Sequence, residues 1–73
     1  MGCCKVKYTN SNGANVLIGK YRNIDDAIKV IDKELEQEKS YFADKNYDYA
    51  DYGMITEIWD KETKEYSRWE IIE

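Results

Sequence analysis

Only one stretch of this chain repeats its apolar side chains at helical spacing, and that single stripe constrains the rest. Ile24, Ala27, Ile28, Ile31 and Leu35 recur every three or four positions, and Val30 widens the band. Asn23 is a suitable N-cap, and Asp25 and Asp26 follow in the first turn, where carboxylates complement the helix dipole. Asp25 and Lys29 are spaced for an i,i+4 ion pair. The pattern predicts a helix over about residues 24–39. One helix cannot bury its own stripe, so the flanking segments must supply a sheet to cover it.

Those segments read as strands. CKVKYT, from Cys4 to Thr9, alternates, and NVLIGKYR, residues 15–22, is a second β-rich run. Between them Asn12-Gly13 suits a two-residue type I′ hairpin loop. That turn pairs Tyr8 with Leu17, Val6 with Gly19 and Cys4 with Tyr21. It leaves Lys5, Lys7, Val16, Ile18, Lys20 and Arg22 on the other face. After the helix, residues 40–52 (SYFADKNYDYADY) interleave Tyr and Phe with Asp and read as an ordered loop. Gly53 then opens a strand to Trp59, DKETKE turns, and a last strand runs from Tyr66 to Ile72. A four-residue loop between Asp60 and Glu65 pairs Trp59 with Tyr66, Glu57 with Arg68 and Ile55 with Glu70. Met54, Ile58, Trp69 and Ile71 then share the opposite face.

The expected architecture is α+β: a β-β-α-β-β two-layer sandwich, one helix on one face of a four-stranded, mostly antiparallel sheet. Seventy-three residues make one domain, 1–73. A chain of this size buries only about 60% of its unfolded surface, which leaves a thin core and little room for a deep cleft. The expected core is Val6, Tyr8, Leu17, Tyr21, Ile24, Ala27, Ile28, Ile31, Leu35, Met54, Ile58, Trp69 and Ile71.

Composition removes several function classes. Histidine is absent, which excludes a Cys/His zinc site and a histidine acid or base. Cys3 and Cys4 are the only cysteines and are adjacent, so they cannot staple distant segments. No run approaches the ~20 apolar residues of a membrane span, and MGCCKVKY lacks the apolar core of a secretory signal. A cytoplasmic protein with no membrane association is expected. The formal charge of −4 disfavours general duplex DNA binding.

GKYRNIDDAIKVID and ITEIWDKETKEYSRWEI carry a likeness to a known group. Through Gly19, Tyr21, Asp25, Asp26, Ala27 and Ile28, then Trp59, Asp60, Glu62 and Thr63, the chain resembles short uncharacterised proteins of phages and conjugative elements in Gram-positive bacteria. Lys64 departs from the pattern, where Gly is usual. The resemblance implies a fold and a mobile-element setting. It carries over no activity, cofactor or catalytic residue.

The candidate sites are few. Asp44, Asn46 and Asp48 match the first three ligand positions of an EF-hand loop, but Tyr49 replaces its glycine and Ile55 its bidentate glutamate. No metal or cofactor is expected. The N-terminal MGCC has Val6 where myristoylation wants Ser or Thr, so frayed or half-buried cysteines are the expectation. Carboxylates such as Asp25 with Asp26, or Glu34 with Glu36 and Glu38, fall on a helix surface without a cleft, so no catalytic residues are assigned. The sheet face away from the helix is more informative. A non-enzymatic role with a protein partner is the leading expectation, through Tyr47, Tyr49 and Tyr52 of the loop, with Trp59 and Tyr66 on the sheet, because tyrosine and tryptophan favour interfaces. The same face could pair with a second copy. The alternative is single-stranded nucleic acid, held by Lys5, Lys7, Lys20, Arg22, Trp59 and Arg68 through stacking and phosphate attraction.

Overall fold

A computed structural model describes residues 3–73. Met1 and Gly2, on which the lipidation pattern turns, lie outside the described residues. The elements run β1 (Cys4–Asn10), β2 (Asn15–Tyr21), α1 (Ile24–Tyr41), β3 (Tyr47–Asp51), β4 (Ile55–Asp60) and β5 (Tyr66–Ile72). The fold is α+β, with one helix against one face of a five-stranded sheet of order β2-β1-β5-β4-β3. Every pairing is antiparallel.

The helix forms as its sequence dictates. Asn23 sits in extended backbone, and its side-chain oxygen accepts the Asp26 N–H at 2.9 Å. Glu36 and Lys39 form the helix ion pair, at 3.1 Å, rather than Asp25 and Lys29. The helix runs two residues past Lys39 because Phe42, at its C-terminal cap, is buried and anchors the last turn. Beneath it Cys4, Val6, Ala27, Ile31, Leu35, Phe42, Ile58, Trp69 and Ile71 make the core. Trp69 lies 5.5 Å from Tyr8, ring to ring, and among the described residues its indole N–H has no acceptor.

Three expectations need correction. The sheet has five strands, not four, because residues 47–51 are a strand and not a loop. Tyr47, Tyr49 and Asp51 alternate with Asp48 and Ala50, and β3 closes onto β4 through Gly53, whose φ of +87° suits the first position of a two-residue turn. The first hairpin also differs. Within this loop only Gly13 has positive φ, +90°, and the Asn10 N–H bonds to the Ala14 carbonyl. The loop is therefore one residue longer than a type I′ turn. Tyr8 consequently faces Val16 and Lys7 faces Leu17; an irregularity opposite Val6 and Lys7 then restores Val6 with Gly19 and Cys4 with Tyr21. Leu17 is thus no core residue but half exposed, and Ile18 turns inward against the core. Gly19 is needed for space: a Cβ there would meet the Tyr21 hydroxyl oxygen at 2.9 Å. The second hairpin has the expected register throughout.

Candidate binding surface

Strand alternation places the face away from the helix in rows. Lys20, Lys5 and Ile72 form the first; Leu17, Lys7, Glu70 and Ile55 the second; Asn15, Thr9, Arg68, Glu57 and Ala50 the third; Tyr66, Trp59 and Asp48 the last. Successive rows lie about 7 Å apart along the strands, so the lysine end and the tryptophan end are separated by about 20 Å. This face is uncovered, since α1 packs on the other side of the sheet.

At the last row the side chains converge. Tyr52, Glu57, Trp59, Lys64 and Tyr66 line one shallow cavity of about 360 Å³. Tyr52 is 66% exposed and Tyr66 38%, while Trp59 is half-buried. Tyr66 is braced by the first hairpin: its N–H donates to Ser11 Oγ at 3.1 Å, and its carbonyl accepts the Ser11 N–H at 3.1 Å. Tyr52 is held by its N–H to the Ile55 carbonyl at 2.8 Å, next to the Gly53 turn. Ala50, the small residue between Asp48 and Tyr52 on this face of β3, stands opposite Glu57.

The β4–β5 turn supports the rim. Asp60 is buried, and its carboxylate accepts the Glu62 N–H at 2.9 Å and the Thr63 hydroxyl at 3.0 Å. The Glu62 N–H is the main cause that holds the Asp60 carboxyl below its usual range; burial opposes it and the Thr63 hydroxyl assists. Lys64 takes the left-handed position of this turn, φ +67°, where an L side chain is disfavoured. Lys64 is one of the residues that line the cavity.

The five tyrosines and tryptophans proposed for a partner therefore divide. Tyr52, Trp59 and Tyr66 come together. Tyr47 and Tyr49 point to the helix side, where Tyr47 packs near Phe42 at 6.3 Å and the Lys39 ammonium lies 4.3 Å from the Tyr49 ring centre. The basic set divides too. Lys5 and Lys20 are cross-strand partners with Lys7 one row on. Arg22 lies beyond β2 in the exposed bend before the helix. Arg68 stands 3.9 Å from Glu57. Trp59 is at the far end of the face.

A second cavity, of about 270 Å³, opens under the helix C-terminus beside Tyr8, Asn10, Glu38, Tyr41, Glu65 and Ser67. Its polar groups satisfy one another. The Ser67 hydroxyl donates to the Glu38 carboxylate, the Tyr8 hydroxyl lies 2.9 Å from Ser67 Oγ, and the Asn10 amide donates to the Tyr8 oxygen at 3.2 Å. The Tyr41 hydroxyl donates to Glu65 at 2.8 Å, and this bond pushes its own pKa up. Sequence pattern did not single out this network, which pins the helix to β1 and β5.

Among the described residues no group of three or more His, Cys, Asp or Glu side chains is placed to hold a metal ion, and no helix is long and apolar enough to cross a membrane. Compared with protein-family models, curated proteins and solved structures, the chain matches none.

Proposed function

We propose that this chain is a small, non-enzymatic binding protein that takes a protein partner on the tyrosine-tryptophan end of its open sheet face. The observation that carries this reading is the convergence of Tyr52, Trp59 and Tyr66 on one cavity, on the face the helix leaves bare. Aromatic anchors around a depression, ringed by charged groups, are the usual make-up of an interface hot spot. The resemblance through Gly19–Ile28 and Trp59–Thr63 adds a setting: an accessory protein of a mobile element, acting in the cytoplasm. Immobilised protein exposed to a Gram-positive cell lysate should retain a discrete partner, and a Trp59→Ala, Tyr66→Ala double variant should not. Retention unchanged by the double variant would remove the proposal. Sedimentation of the pure protein tells whether the partner is a second copy.

A second reading rests on Lys5, Lys7 and Lys20 at the other end, where a phosphate backbone would be attracted. Against it, Glu70 stands opposite Lys7, and Glu57 lies beside Arg68. Salt-dependent binding of a labelled oligonucleotide, lost in a Lys5→Ala, Lys7→Ala, Lys20→Ala variant, would favour it over the protein partner.

A further inference from the structure

The geometry points to Cys3 and Cys4 as a two-thiol clamp for a trivalent thiophilic metalloid of the organoarsenic(III) class. Neighbouring residues within a strand project to opposite faces. Cys3 escapes this rule because it precedes β1, and its thiol reaches 3.2 Å from the Cys4 sulfur. Cys4 is packed in the core and fixed, whereas Cys3 is exposed. Both line a cavity of about 220 Å³ with Lys5, Lys20, Ile72 and Glu73. The site lies at the far end of the sheet from the Trp59 cavity and does not depend on it.

Donor number and angle select the ligand. Structural zinc and iron–sulfur centres want four protein donors and catalytic zinc wants three, and no third donor joins this pair among the described residues. With bonds of about 2.3 Å to a shared atom, sulfurs 3.2 Å apart subtend an angle of about 90°. That is far from the straight line of a two-coordinate soft cation. It suits a pyramidal centre that keeps a lone pair and one organic substituent. Adjacent residues also resist a disulfide, because their Cα atoms are about 3.8 Å apart and a relaxed bridge needs at least about 4.4 Å.

The chemistry balances without a redox partner. An organoarsenic(III) oxide reacts with the two thiols to form two As–S bonds. The As–O linkage breaks, and its oxygen leaves as water with both thiol protons. Arsenic stays trivalent and the sulfurs stay at the thiol level. Burial, foremost, pushes the Cys4 thiol up to about 11, so a reagent whose departing oxygen removes the proton suits it better than one that needs a preformed thiolate. The exposed Ile72 side chain and the lysine stems offer apolar surface to the organic group.

The probe is phenylarsine oxide in excess 2-mercaptoethanol, followed by intact mass and by urea unfolding. One phenylarsenic group per chain is expected, with a mass gain equal to the reagent less one water, reversed by 2,3-dimercaptopropanol. The native chain should bind at least about tenfold more tightly than the chain in urea, so the ligand raises the unfolding midpoint. Cys3→Ser, at an exposed position, should fold normally and lose the adduct. An adduct that survives Cys3→Ser would overturn the clamp. So would equal affinity in native and urea-unfolded chains, since the fold would then contribute nothing.

Discussion

Asp60 shows how one residue can govern a rim of the proposed binding surface. Its carboxylate is buried within the turn it stabilises, and the bonds from Glu62 and Thr63 exist for the charged form. A folded pKa below the unfolded value of about 3.9 contributes stability above that pH and loses it as pH falls through the folded value. Urea midpoints measured from pH 7 down to pH 2 should therefore fall in the acid range. Asp60→Asn should be less stable at pH 7 and show a shallower acid decline; an acid limb identical to that of the wild type would contradict the assignment. Lys64 offers the opposite case. Its left-handed backbone costs an L residue roughly 1 kcal/mol that glycine does not incur, part of which glycine's extra chain entropy cancels. Lys64→Gly should raise stability by up to about 1 kcal/mol in thermal or urea unfolding.

At the scale of elements, the helix and the second hairpin were legible because each has a strong local signal. Asn23, the acidic first turn and the spacing from Ile24 to Leu35 all favour one outcome, and Glu57 opposite Arg68 closes the β4–β5 register without a buried charge. Asn23→Ala should cost about 1 kcal/mol in urea unfolding. The first hairpin was only half legible. Asn12-Gly13 is compatible with two loop lengths, and the longer one turns Leu17 out and Ile18 in before the irregularity restores the pattern. Substitution separates the two registers: Leu17→Ala should change stability by under about 0.5 kcal/mol and Ile18→Ala should cost about 2. Similar costs at both sites would favour the shorter loop. Strand β3 was hidden because its period is not clean: Tyr47, Asp48 and Tyr49 alternate, but Ala50 and Asp51 break the pattern, so Asp51 falls with Tyr47 and Tyr49 while Tyr52 falls with Asp48 and Ala50. The aspartates make sense only once β3 is known to be a sheet edge, where charge discourages further pairing. Phe42 was missed because it falls after the last helical repeat. Phe42→Ala should cost about 3–5 kcal/mol, since the ring is fully buried between helix and sheet.

Across the whole molecule the two faces differ in what they have left to do. The helix side is closed by the core and by the Tyr8–Ser67–Glu38 network. The open side is divided between lysines at one end and aromatic side chains at the other. What was legible of the site was its composition: Trp59, Tyr66 and Arg68 fall on the open face because the second hairpin was read correctly. That Tyr52 joins them while Tyr47 and Tyr49 turn away depends on the parity of β3, which a loop reading cannot supply. The decisive measurement compares partner retention by two folded variants, Trp59→Ala with Tyr66→Ala, and Lys5→Ala with Lys7→Ala and Lys20→Ala. Loss of the partner in the first and its retention in the second is the expected result; the reverse pattern would contradict the assignment of the binding surface.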